Sequence, residues 1–423
     1  MINMKKKLVL KKSVLFILIL LIIGSLVGGG YFFYTKKQEE LEKARQEAIK
    51  KKIINIKKHY ADTVYISKKS TLYEKKNDKY EIIGSIEKDN TIALDKMEIN
   101  HKTKYFKIKN LDYYISYKNL KPSEEEIVIN DRYKRYLAFN ENIKTKKTIK
   151  LMQNNKVKYI LNKELDTPII EKDDNGYYIE CLGEEYFISK DDVESVYEKQ
   201  NNSDPEAVKI PVTANHFIYL EGDNTCNEII CHPASQIKEE YNYLRENNYF
   251  TLNTTELRKW LEDKIRLPEK SILITIDDGA RAEKFIPLLE EYKVNATLFL
   301  ISSWYPVDKF KSPYMEIASH THALHEGGHC PGGQGSPLKC LDKKKLVDDL
   351  TTSRKTLNNT EAFCYPFYEF NDYSEQVVKE AGFKMAFIGG QMKARKGINI
   401  YRIPRITMTS TTTLQEYINY IKP

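Results

Sequence analysis

From residue 271 onward, short apolar runs alternate with amphipathic stretches, and few folds accommodate that rhythm. SILITI (271–276) reads as a strand and RAEKFIPLLEEYKV (281–294) as a helix. NATLFLI (295–301) and MEIASH (315–320) read as strands, DKKKLVDDLTTSRKTL (342–357) as a helix, and AFCYPF (362–367) as a strand. DYSEQVVKEAGF (372–383), KMAFIGG (384–390) and TLQEYINYI (413–421) continue the order helix, strand, helix. Strands separated by helices must pair in parallel, because each helix spans the crossover and covers a face of the sheet. In such sheets the functional groups gather at the C-terminal strand ends. The stretch 210–423 is short for a full eight-fold barrel, which typically takes about 250 residues. The expected fold class is therefore α/β, with a distorted, incomplete (β/α) barrel.

The 423 residues are too many for one compact domain, and the preceding half follows a different rhythm. TVYISKKSTLYEKKNDKYEIIGSI and KTIKLMQNNKVKYILNKELDTPII alternate apolar and polar residues with polar turns between them. Period-two alternation predicts antiparallel β structure with one buried face. DYYISYKNLKPSEEE (112–126) and EEYFISKDDVESVYE (184–198) resemble each other, which suggests two small all-β, SH3-like modules over 60–121 and 122–198. Such modules serve either to hold cell-wall material or to space the next domain from a membrane. Residues 199–211 are polar with two prolines and read as a linker, and 35–59 read as a charged helical stalk.

Residues 13–34 are uncharged and long enough to cross a bilayer as a helix. Five lysines precede them, which favours a basic cytoplasmic tail at 1–12 and a retained, single-pass transmembrane signal anchor. The rest of the chain would then lie outside the cytoplasm at the cell surface. The net charge of +8 belongs to this N-terminal region: residues 1–60 carry 14 Lys/Arg and 4 Asp/Glu, so the remainder carries −2. A nucleic-acid partner would require the basic excess on a folded face, and none is expected. Among the six cysteines, Cys226 with Cys231 and Cys330 with Cys340 are close enough in sequence to close loops as disulfides.

ILITIDDG (272–279) ends an apolar strand in two adjacent carboxylates and a glycine. Neighbouring strand residues point to opposite sides, so Asp277 and Asp278 should serve different roles, with Gly279 supplying the turn. EIASHTHALHE (316–326) then places His320, His322 and His325 within six residues, although the chain has only eight histidines. A spacing of five does not stack His320 and His325 on one helix face, so they would act from a turn. Two imidazoles and a carboxylate suit a divalent metal with open positions. Zinc is favoured, and cobalt, nickel or manganese would also fit. His322 is either a third ligand or a bystander, and His329 reads as a loop residue.

DDG at a strand end, HT followed by a further His, and a strand carrying YPF resemble the polysaccharide deacetylases of the NodB-like family, also called family 4 carbohydrate esterases. The His spacing of five resembles the subgroup acting on poly-N-acetylglucosamine, whose members are circularly permuted and carry a Tyr-His motif at the start of the domain. Here IPVTANHFIY (210–219) places Asn215 where that Tyr would stand, followed by His216. The resemblance implies a metal triad of Asp278, His320 and His325, Asp277 as general base and His216 as general acid. It also implies a backbone N–H of Phe367 facing the oxyanion. Many relatives orient the base with an Arg before the Pro, where this chain has Cys364. IYRIPRI (400–406) offers Arg402 and Arg405 instead, one of which would hold Asp277 ionised, with Arg405 taken as the site residue. The implied activity is metal-dependent removal of acetyl groups from N-acetylglucosamine in an envelope polymer. Peptidoglycan is favoured, poly-N-acetylglucosamine is the alternative, and a catalytically degenerate wall-binding protein is a third reading.

Overall fold

A computed structural model describes residues 34–52, 63–95, 105–109, 111–123, 131–199, 203–220 and 228–423, with isolated positions outside these ranges. The expected anchor at 13–34 falls almost wholly outside the described residues. Among those described, no helix is long and apolar enough to cross a membrane. The chain divides into two compact units, one of residues 1–129 and 147–164, the other of 130–146 and 165–423.

The first unit is all-β. Ser70–Lys76 and Lys79–Ile86 form a hairpin whose turn residues Asn77 and Asp78 both take positive φ. Asn and Asp tolerate that conformation, and such turns match the twist of the flanking strands. Tyr113–Ser116 and Tyr105–Lys107 extend the sheet on one side. On the other, the hairpin Ile149–Gln153 and Lys156–Leu161 pairs with Lys79–Ile86, so this segment joins strands that precede it by some 70 residues. Leu72, Ile86, Phe106 and Ile115 fill the buried face.

In the second unit, a small antiparallel region (Glu141–Thr145, Asp166–Pro168, Val193–Glu198 and the meander 171–189) precedes the α/β domain. Its Leu137 and Glu171 bridge to Arg266 and Ile265, and Lys259 binds Glu171 at 2.7 Å. The expected strand and helix alternation follows. Parallel strands run in the order Val212–Asn215, Ser271–Asp278, Ala296–Leu300, Met315–Ser319, Ala362–Cys364, Met385–Ile388 and Ile403–Pro404. The short strand Ile406–Thr407 pairs with Val212–Asn215 at the opposite end. Only Arg405 separates these two end strands, so the sheet comes back to its beginning as a nearly closed barrel.

Period-two alternation sorts the side chains. Ile272, Ile274 and Ile276 pack outward with Tyr241 and Leu289 of the helices Ala234–Glu246 and Ile286–Tyr292. Leu273, Phe299, Cys364 and Phe387 share the inner cluster. Thr275 and Asp277 have the parity of Leu273, which delivers a carboxylate to the inside of the barrel at its C-terminal end.

Candidate active site

Inside the barrel Asp277 meets Arg405, whose side chain is fully buried. The guanidinium binds both carboxylate oxygens, Nη1 to Oδ1 at 2.7 Å and Nη2 to Oδ2 at 2.8 Å. Nη1 also donates to Thr275 Oγ1 at 3.0 Å, and Nη2 lies 2.9 Å from Cys364 Sγ. Burial alone would raise the Asp277 carboxyl, but the guanidinium outweighs it and holds the group below the ordinary carboxylate range. Arg402, the other candidate in IYRIPRI, faces Glu375 and Asp372 away from this centre.

The turn after the strand begins one residue earlier than the sequence suggests. Asp278 itself takes a φ of 73°, and Gly279 follows at 111°. A left-handed φ costs most L-residues about 1–2 kcal/mol, and Asp is among those that tolerate it best. Gly279 is required for space as well, because a Cβ there would lie 2.7 Å from both Leu300 and the Tyr305 ring. The turn re-aims Asp278 away from the outer face toward two imidazoles. Its Oδ1 lies 3.3 Å from His320 Nε2 and 3.2 Å from His325 Nε2, and the two nitrogens are 3.0 Å apart. His320 Nδ1 faces the Cys364 carbonyl at 2.8 Å, which fixes the tautomer and leaves Nε2 with its lone pair toward Asp278.

One ligand atom from each of Asp278, His320 and His325 lies within 4.8 Å of the others. Asp277, His320 and Cys364 also meet that distance, but there the guanidinium of Arg405 already neutralises the carboxylate and abuts the sulfur. A cation fits the first group and is repelled from the second. His322 stands apart from both, with Nδ1 3.0 Å from Ser302 Oγ and its backbone N–H donating to Asp349. His329 Nε2 lies 4.0 Å from the exposed Glu326, away from both groups.

His216 follows strand Val212–Asn215 and is buried, with Nε2 3.7 Å from Asp277 Oδ2. Burial pushes its imidazole below its ordinary value, against the pull of Asp277. Its neighbour Asn215 has a structural role. Nδ2 donates to the Thr275 carbonyl at 3.2 Å, while Oδ1 lies 3.0 Å from Nδ1 of the buried His232. His232 Nε2 in turn stands 3.1 Å from Glu240, also buried. Sequence reasoning passed over His232, Glu240 and Tyr368. Tyr368 Oη lies 3.3 Å from His216 Nε2 and accepts from Thr407 Oγ1 at 3.3 Å. The second aromatic of YPFY was the available signal for it. Phe367 and Tyr368 both take left-handed φ, 58° and 61°, and the Phe367 ring packs 4.8 Å from that of His325. The expected disulfide Cys330–Cys340 is present. Cys231 is disulfide-bonded too, and Cys226 lies outside the described residues.

A nearly closed α/β barrel bears paired carboxylates and histidines at the C-terminal ends of its strands, and comparison with known proteins follows from that arrangement. Residues 264–386 match the family profile described as polysaccharide deacetylase. The matched span contains Asp277, Asp278, His320, His325 and Phe367, but neither His216 nor Arg405. The poly-beta-1,6-N-acetyl-D-glucosamine N-deacetylase of Escherichia coli K12 is 24% identical over 241 residues, covering 44% of this chain and 35% of that protein. A putative polysaccharide deacetylase, YxkH, of Bacillus subtilis 168 is 24% identical over 202 residues, covering 45% of this chain and 70% of that protein. Among solved structures, a de-N-acetylase from Aggregatibacter actinomycetemcomitans aligns over 50% of this chain and 99% of its own, with 22% identity and a TM-score of 0.44.

Proposed function

We propose that this protein hydrolyses the acetamide of N-acetylglucosamine residues in a cell-envelope polysaccharide, with peptidoglycan as the favoured polymer. The observation that carries the reading is the division between two adjacent carboxylates. Asp277 is locked ionised against Arg405, and Asp278 faces the converging Nε2 atoms of His320 and His325. The donor set, one carboxylate oxygen and two imidazole nitrogens with the His320 tautomer fixed from behind, fits a divalent cation, zinc best among those the ligands suit. Such an ion supplies Lewis acidity toward the acyl oxygen and makes a water more acidic.

The chain's own residues do the rest. Asp277, ionised at neutral pH, accepts the proton of the attacking water. The backbone N–H of Phe367 donates to the oxygen that becomes negative, an interaction worth on the order of 3 kcal/mol in comparable sites. The departing amine is basic and leaves only when protonated, and His216 donates that proton. Tyr368 Oη orients the His216 ring from its Nε2 side.

A second polymer, β-1,6-linked poly-N-acetylglucosamine, is favoured by the His spacing of five and by what the E. coli relative is named for. The disulfide Cys330–Cys340 supports a location outside the cytoplasm, in keeping with an anchor at 13–34. The decisive experiment measures acetate released by the full chain from peptidoglycan and from β-1,6-linked N-acetylglucosamine oligomers, as purified, with EDTA, and with zinc restored. Release that EDTA abolishes, zinc restores and Asp277→Asn lacks is the expected result, and the relative rates name the polymer. No acetate from any acetylated glycan, with metal bound, overturns the proposal.

A further inference from the structure

The turn 364–369 carries a dense set of contacts. The Cys364 carbonyl faces His320 Nδ1, the Phe367 ring lies on His325, and the Tyr368 hydroxyl reaches His216. Phe367 and Tyr368 hold consecutive left-handed φ values without being glycines, a conformation that persists only where the surroundings enforce it. Inside the turn the enforcing bonds are two, Tyr368 N–H to the Tyr365 carbonyl at 3.1 Å and Glu369 N–H to the Pro366 carbonyl at 3.0 Å. The next residue, Glu369, projects away from the chemistry into the loop 326–340.

That loop is built to receive it. The Glu369 carboxylate accepts the backbone N–H groups of Gln334 and, at 2.9 Å, Ser336, and it pairs with Lys339 Nζ at 2.9 Å. Lys339 donates in turn to the carbonyls of Pro331 and Gly332, at 3.2 and 2.7 Å, which closes the loop around the carboxylate. Gly333, at a φ of 64°, leaves the space that Glu369 fills, since a Cβ there would collide with Oε1. Gly335, at 79°, packs against Gly328 and the Cys330 carbonyl. The disulfide Cys330–Cys340 ties the loop's base. The loop starts immediately after His325, a proposed metal ligand, and Glu369 ties it to the turn that faces that ligand.

We infer that Glu369 is a positioning residue. With the disulfide-closed loop as its socket, it holds the Phe367–Tyr368 turn in the conformation that presents the Phe367 N–H and the Tyr368 hydroxyl to the reaction. The catalytic part of this inference rests on the deacetylase reading above. Glu369 touches neither substrate nor the metal triad, and it acts through the two residues before it. The cysteine pair belongs to this brace rather than to the chemistry.

The test uses the full chain with Glu369→Gln, Lys339→Met and the double variant Cys330→Ser/Cys340→Ser. Three readouts are taken on each: kcat and KM for acetate release, hydrogen exchange of the peptide covering 362–371, and metal content. Glu369→Gln is expected to lower kcat at least 10-fold with KM within 2-fold and one metal per chain retained, while exchange of 362–371 rises. The serine pair should show the same pattern, and adding Glu369→Gln to it should lower kcat by less than the product of the separate effects. Lys339→Met, which leaves the carboxylate and both N–H groups in place, keeps the test usable if Glu369→Gln fails to fold. Faster exchange with unchanged kcat overturns the positioning role, and unchanged exchange overturns the brace. A wild-type chain that releases no acetate, but whose exchange responds to Glu369→Gln, would sink the deacetylase reading and leave the brace standing.

Discussion

Arg405 grips both oxygens of Asp277 from the single residue at which the barrel closes, between Ile403–Pro404 on one side and Ile406–Thr407 on the other. The residue at the sheet's seam therefore also sets the charge of the proposed base. Replacing it by Ala should reduce kcat on the order of 100-fold, as misplacement of a reacting group does. It should also cost about 3–5 kcal/mol of stability, because a buried carboxylate is left unpaired. Lys should rescue poorly, since an ammonium cannot bind both oxygens. Kinetics and urea unfolding of Arg405→Ala and Arg405→Lys check this.

The same pair fixes the sign of a pH effect. Arg405 holds the Asp277 carboxyl below its ordinary value, so the ionised base is present at all pH values above that depressed range. The associated stability is complete above the unfolded pKa of about 3.9 and is lost as pH falls through the lower folded value. Removing the guanidinium leaves burial as the main influence, which raises the carboxyl. The acidic limb of kcat/KM should therefore move to higher pH in Arg405→Ala, and a limb that stays in place would count against Asp277 as the base.

Much of this domain was legible in the sequence, for identifiable reasons. Strand and helix alternation is local, and the DDG and His clusters are contiguous, so both could be read without a fold. Arg405 against Arg402 could not be settled that way, because the two lie in one extended segment three residues apart. What separates them is barrel closure, a pairing of 406–407 with 213–214 across almost 200 residues. The hairpin 149–161 likewise shows a clear alternating pattern, but its partner strand 79–86 is non-local and left no mark in the pattern. Tyr368 was overlooked because its contribution depends on a left-handed φ that no neighbouring glycine announces.

His216 can be tested by its leaving group. Its assigned role is to protonate a departing amine, so His216→Ala should lower acetate release from N-acetylglucosamine polymers roughly 100- to 10,000-fold. An activated aryl acetate has a leaving group that needs no proton, and its hydrolysis should fall less than 10-fold in the same variant. Equal losses on both substrates would assign His216 to binding or to structure instead.

The metal triad predicts a stoichiometry. Wild-type chain should hold one divalent ion, and Asp278→Asn, His320→Ala and His325→Ala should each lose it, whereas His322→Ala should keep it because that ring is engaged with Ser302. Elemental analysis after dialysis reads this without any substrate. Retention of the ion by His325→Ala together with its loss from His322→Ala would reverse the assignment.

Cys364 packs against the guanidinium that holds Asp277, and the geometry explains why one guanidinium suffices. The Sγ atom lies 2.9 Å from Arg405 Nη2 and 3.6 Å from Asp277 Oδ2, so a second arginine grown from position 364 would enter space the first already fills. Cys364→Arg alone should therefore be strongly destabilising, placing two buried cations on one carboxylate. Combined with Arg405→Ala, the same substitution relieves that crowding and restores a cation beside Asp277 from the neighbouring part of the barrel. The double variant should be more stable than either single one and should recover part of the activity lost in Arg405→Ala. Strict additivity of the two single effects, measured by urea unfolding and kcat/KM, would show that the two positions do not act together in holding the base.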